Sequence, residues 1–131
     1  GAPGGVLYPP TDIQTVGWWS GGPVPGSASG TSVLVGHVDG RNAAGVPVVG
    51  ALFYLDRAPL GSTVVVRPAT GRPLRYVLVA RRLYPKAELP VGRIFTRSGP
   101  PRLDMITCGG PFDQVTRHYA DNVVAYLVPA G

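Results

Sequence analysis

Apolar residues in this chain come in short runs broken by glycine and proline, not at the three-to-four spacing of an amphipathic helix. Residues 31–35 (TSVLV) are short, β-branched and apolar, and residues 62–67 (STVVVR) repeat that character. The longest strand candidate is 74–84 (LRYVLVARRLY). Its alternate positions Val77, Val79 and Leu83 are expected to face a core, with Arg81 interrupting the pattern near the end. Residues 103–107 (LDMIT) and 123–128 (VVAYLV) complete the set. The best helix candidate is 50–56 (GALFYLD), one or two turns ahead of Arg57-Ala58-Pro59. With 15 prolines and 19 glycines spread throughout, few stretches can hold a longer helix. Short strands between Gly/Pro turns predict an all-β barrel or sandwich.

Composition narrows this picture. A chain of 131 residues fits one domain with one ordinary core, and no internal repeat or boundary divides it. The stretch 21–30 (GGPVPGSASG) is a loop by composition, so residues 1–131 are read as a single domain. An apolar fraction of 44% against 15% charged excludes a disordered polyelectrolyte. No apolar run approaches the ~20 residues of a membrane helix, and no secretory leader is visible. The net charge of +5 is almost wholly arginine, Lys86 being the only lysine. These charges are scattered, with no aromatic-interleaved basic stripe of the kind that marks a nucleic-acid face. They favour an anionic environment and nothing sharper.

Candidate chemistry centres on 105–117 (MITCGGPFDQVTR), which holds the only cysteine, Cys108, just before two glycines that read as a turn. One thiol excludes an internal disulfide, and with two histidines it makes no zinc-ligand spacing. The plain reading is a buried thiol acting as a small hydrophobe; the sharper one is a nucleophile. His37 stands in LVGHVDG, past the 31–35 strand, where Asp39-Gly40 reads as a tight turn. It is placed either to enter a cleft or to sit on a surface loop. His118 follows Cys108 by ten residues, and Arg117 is the only arginine after it, with a surface salt bridge to Asp113 or Asp121 as its plain alternative.

A thiol attacks as thiolate, so its pKa near 8.5 must fall or be matched by an imidazole. The oxyanion formed on attack can be held by a guanidinium, and an imidazolium can protonate the leaving amine. Cys, His and Arg thus suffice for acyl transfer through a thioester. The connection 84–102 (YPKAELPVGRIFTRSGPPR), with four prolines, is long enough to be functional rather than filler.

LVGHVDG, LDMITCGGPFD and RHYADNVVAY, in that order, resemble a sortase, most like the class F sortases of high-GC Gram-positive bacteria. The resemblance runs from about Val6 to the C-terminus and includes GVLYPPTDIQTVGWWSGGPVPG. It implies a sortase-like closed β-barrel of seven or eight strands with one or two short helices. It implies Cys108 as nucleophile, His37 as general acid/base, Arg117 as oxyanion or substrate clamp, and Thr107 as a residue lining the substrate groove; His118 has no counterpart. The implied enzyme is a cysteine transpeptidase without metal or cofactor. It cleaves an LPXTG-like sorting signal between Thr and Gly and passes the acyl group to an amine of the cell wall or a pilin. Such enzymes work on the outer face of the membrane, held by an N-terminal helix. That anchor, and a first strand segment (an IPxIGV-like run before Gly5), are expected but not seen in this sequence. A thiol hydrolase using water, and a silent β-barrel binding module with Cys108 merely buried, are the alternatives.

Overall fold

The computed structural model describes residues 16–41, 44–68, 71–113, 115 and 118–130. Among these, eight strands form: β1 Val16–Trp18, β2 Thr31–Gly36, β3 Asp39–Arg41, β4 Pro47–Val49, β5 Thr63–Val66, β6 Leu74–Pro85, β7 Arg102–Asp113 and β8 His118–Pro129. Six of them make one curled, half-barrel sheet in the order β1-β2-β7-β8-β6-β5, while β3 and β4 pair separately. The all-β architecture expected from the sequence therefore holds. All neighbours are antiparallel except β2 and β7, which run parallel.

The sheet centre is buried on both faces, which is why β7 and β8 carry apolar residues at consecutive positions. Leu103 and Met105 of β7 join Val123, Ala125 and Leu127 of β8, and Tyr76 and Leu78 of β6, in one cluster beneath Leu52 and Leu55. Ile106, Val124 and Val33 form the opposite cluster with Trp19 and Ile94, against which Leu89 and Phe95 pack. Phe95 meets Trp19 edge-on, with ring centroids 5.1 Å apart. The 84–102 connection is thus folded onto the sheet. It contains a 3-10 turn, Lys86–Glu88, and the short helix α1, Val91–Ile94.

Four local expectations are corrected. In β6 the core positions are Tyr76 and Leu78, whereas Val79 is 46% and Leu83 53% exposed. Val77 and Val79 share their parity with Arg75 and Arg81, whereas Leu74, Tyr76, Leu78 and Ala80 on the other parity are all apolar. The β8 register makes the choice by pairing Leu78 with Leu127, and an irregularity follows between Leu78 and Ala80. Arg81 interrupts the pattern because its Nη1 donates to the carbonyls of Ala58 (2.6 Å) and Leu55 (3.3 Å). Residues 50–56 form successive turns rather than a helix, with Phe53 N–H donating to Gly50 O and Leu55 N–H to Leu52 O. The amides of Gly50 and Leu52 are drawn out of any helical ladder, to Val38 O and His37 O. Asp39 and Gly40 lie in β3 opposite Val49 and Val48, not in a tight turn. Finally, β7 continues through Gly109-Gly110-Pro111 to Asp113 with a register shift between Gly109 and Phe112, so the expected turn after Cys108 is absent.

One buried charge marks this sheet. Asp104 has no exposed surface and pairs with Arg102. Burial pushes its carboxyl up from 3.8 to about 6, against the opposing hydrogen bond and charge of Arg102. A raised folded-state pKa means that the native state binds the proton more tightly than the unfolded chain does. Stability from this group is therefore full below pH 3.8, falls as pH rises toward 6, and is level above that. The shift corresponds to about 3 kcal/mol. Asp104→Asn is expected to remove this segment of the stability–pH curve in urea unfolding at pH 4 to 7. An unchanged slope in the variant would mean that Asp104 ionises freely.

Candidate active site

The parallel pairing of β2 with β7 organises the candidate residues. Its register runs from Thr31 opposite Arg102 to Val35 opposite Ile106. Both strands point the same way, so their chains leave at the same end of the sheet. His37 lies two residues past Val35, and Cys108 two residues past Ile106. Adjacent strands are only ~4.8 Å apart, so this register brings two residues 71 positions apart in sequence to one edge of the molecule. No local sequence spacing encodes that meeting.

On its other side β7 is held by β8, with Cys108 opposite Asn122 and Thr107 opposite Val123. Thr107 is 2% exposed, and its hydroxyl has no hydrogen-bond partner among the described residues. His118 opens β8 opposite Asp113. It is four residues from Asn122, or roughly 13 Å along the strand from the level of Cys108. Arg117 lies outside the described residues.

The backbone around His37 is set by close contacts. The His37 carbonyl accepts Leu52 N–H at 3.0 Å, and the Val38 carbonyl accepts Gly50 N–H at 2.9 Å. Gly50 approaches so closely that a Cβ there would lie 2.1 Å from His37 O and 2.5 Å from its carbonyl carbon. Before the histidine, a Cβ on Gly36 would lie 2.9 Å from Leu52 Cγ. Leu52 and Leu55 anchor the turn segment in the core, and Arg81 ties down its later carbonyls. His37 itself is half-buried.

Gly50→Ala is therefore expected to displace the His37 backbone, because the collision is with main-chain atoms that no rotamer change can relieve. A misplacement of about 1 Å costs on the order of 10²-fold in rate where the histidine acts on substrate. Gly36→Ala meets side-chain atoms only, Leu52 Cγ and Cδ1 and Val16 Cγ2, and is expected to cost less. Peptide turnover and melting temperature measured on both variants check this; equal activity in the two would show that the close approach does not position His37.

Three features of this region escaped the sequence reading: Gly50, the Leu52 amide contact, and the Arg102–Asp104 pair. Their signals were a glycine ending the PVVG run and an aspartate inside the apolar LDMIT run.

The sortase domain model matches residues 6–130. No curated protein matches the chain. Among solved structures, sortase C1 from Streptococcus agalactiae superposes with a TM-score of 0.69 at 18% identity, covering 95% of this chain and 60% of that one. Sortase C-1 from Actinomyces oris gives 0.65 at 22% identity, covering 88% and 58%. Sortase C from Streptococcus pneumoniae, described for its catalysis and pilin substrate specificity, gives 0.66 at 14% identity, covering 88% and 53%. The chain thus spans little more than half the length of these enzymes, and at such identities the likeness is one of fold.

Proposed function

This chain belongs to the sortase domain family, and from that premise we propose that it is a cysteine transpeptidase of class F type that resolves a sorting signal through a thioester on Cys108. The observation that carries the reading is the parallel β2–β7 register, which brings positions 37 and 108 to one end of the sheet.

In this mechanism the Cys108 thiolate attacks the carbonyl carbon of the threonine in an LPXTG-like peptide. Negative charge develops on the carbonyl oxygen, where Arg117 serves as donor. His37 as imidazolium gives its proton to the departing glycine amine, the C–N bond breaks, and the thioester remains. An amine of the cell wall or of a pilin then attacks the thioester. His37 takes a proton from that amine, and the Cys108 thiolate leaves to restore the resting pair. Thr107 borders the nucleophile in sequence, with its hydroxyl buried, so that a role toward the peptide requires the strand end to open around it. No metal or cofactor enters these steps. The catalytic domain works on the outer face of the membrane, held by an N-terminal helix. Among the described residues, no helix is long and apolar enough to cross a membrane.

The test is mass spectrometry of the intact protein after incubation with LPXTG-type peptides, with and without an added amine. An acyl adduct on Cys108 that an amine converts to ligated product supports transpeptidation. Product released to water whether or not amine is present makes the protein a hydrolase. No adduct across a peptide library, with the thiol unreactive to iodoacetamide, leaves a binding module.

Arg117 has its own discriminating variant. Lysine keeps the charge but loses the planar fork of N–H donors. Arg117→Lys is expected to lose turnover by on the order of 10²–10³, the usual effect of removing one oxyanion donor. Alkylation of Cys108 by iodoacetamide, which builds no oxyanion, should persist. Preserved turnover would return Arg117 to the surface salt-bridge role, worth about 0–1 kcal/mol of stability.

A further inference from the structure

The buried pair on β7 has a third partner. Arg102 grips Asp104 with a two-point fork, Nε to Oδ1 at 2.8 Å and Nη2 to Oδ2 at 3.1 Å. The same Nη2 donates to the carbonyl of Arg93, in α1, at 2.7 Å. Its guanidinium carbon stands 5.5 Å from the centre of the Tyr126 ring, whose hydroxyl is 2.7 Å from that of Tyr84. One side chain thus joins the start of β7, the face of β8 and the helix of the 84–102 connection.

We propose that the Arg102–Asp104 pair is a positioning latch, which fastens α1 and the 86–97 segment to the strand carrying Cys108 and thereby sets the wall of the peptide groove. The groove rests on the transpeptidase reading above and on the resemblance to sortases, which implies that the 84–102 connection shapes the peptide groove; the fastening does not.

Three observations support the latch. First, the segment's other anchors near α1 are apolar: Ile94 is fully buried, and Leu89 and Phe95 pack beside it. Apolar burial holds a segment down without fixing its orientation. A bidentate fork with a third bond to a backbone carbonyl fixes both distance and direction. Second, the far end of the segment is already pinned to the start of β2, where Thr31 N–H donates to Thr96 O at 2.9 Å and Gly30 N–H to Gly99 O at 2.8 Å. A Cβ on Gly30 would lie 2.7 Å from Arg97 O, so the two chains touch there. The latch adds a second directional contact, on the helix itself, three residues before Thr96. Third, the pair is a poor choice for stability alone. Burial raises the Asp104 pKa even beside Arg102, and apolar residues of similar volume commonly stabilise as well or better. What apolar residues cannot supply is the bond to Arg93 O.

Hydrogen–deuterium exchange and peptide kinetics on the whole chain test the latch, in three variants. Arg102→Lys keeps the charge but cannot reach Asp104 and Arg93 O together. Asp104→Asn removes the ionic partner. The double variant Arg102→Met with Asp104→Leu refills the space with apolar atoms, so that a fold lost in either single variant is recovered. In all that fold, amides of 86–97 are expected to exchange roughly tenfold or more faster while those of β8 are unchanged, the mark of local opening. KM for the sorting-signal peptide should rise roughly tenfold with kcat nearly constant, the signature of lost uniform binding. Alkylation of Cys108 should keep its wild-type rate. Exchange that is unchanged at 86–97, or that accelerates equally in β8, overturns the latch. Wild-type protein that turns over no peptide sinks the transpeptidase reading, while the exchange measurement still decides the latch.

Discussion

Cys108→Ala is expected to leave the fold intact and to abolish both the acyl adduct and all peptide turnover. The thioester needs a nucleophile at the end of the β2–β7 pair, and this chain has no second cysteine to substitute. Position 108 is held within the β7–β8 ladder opposite Asn122, so the strand does not depend on the sulfur for its backbone bonds. Cys108→Ser is expected to be nearly as inactive. A thiol of pKa near 8.5 supplies some thiolate at neutral pH and more beside an imidazole. A hydroxyl remains protonated and needs a strong base aligned with it. The pair of measurements is circular dichroism for the fold and mass spectrometry for the adduct. Turnover near wild type in folded Cys108→Ala would remove the nucleophile assignment and the transpeptidase reading with it.

His37→Ala is expected to reduce turnover by about 10²-fold or more, the usual scale of general acid–base catalysis. His118→Ala is expected to change little, because its place opposite Asp113 sets it well along the hairpin from Cys108. A reaction that needs both a thiolate and an imidazole acid/base should follow a bell-shaped pH–rate profile whose limits belong to the pair jointly. The His37→Ala profile should lose one limb of that bell. The reverse result, a silent His37→Ala and a crippled His118→Ala, would move the acid/base role to the other histidine and break the correspondence between β2–β7 register and chemistry.

Much of this protein is legible from residue order. Short β-branched runs between glycines and prolines specify strands wherever they fall, because the period-two pattern and the turn residues are local properties. The five strand candidates all became strands: the 31–35, 74–84, 103–107 and 123–128 runs lie in β2, β6, β7 and β8, and the 62–67 run contains β5. The candidate residues Cys108 and His37 were nameable for a related reason: a lone thiol, an imidazole past a strand and a guanidinium have intrinsic chemistry, and their order in the chain matches a family pattern.

Tertiary structure decided what depends on partners distant in sequence. In β6 valines and a leucine lie on the same parity as Arg75 and Arg81, and pairing with β8 fixes Tyr76 and Leu78 as core while Val79 and Leu83 face out. The 50–56 run has a helix-like composition, yet its first amides bond to the His37–Val38 backbone, and the segment becomes a cradle instead. The short helix forms in the proline-bearing 84–102 connection, where Leu89, Ile94 and Phe95 find the second face of the sheet to cover. Asp104 is an oddity in an apolar strand until Arg102 and Arg93 come into reach. The arrival of positions 37 and 108 at the same end of the sheet is the clearest case. It rests on a parallel pairing whose two strands are separated by most of the domain, and the free energy that makes it comes from burying both faces of that sheet at once, which no stretch of the chain can do alone.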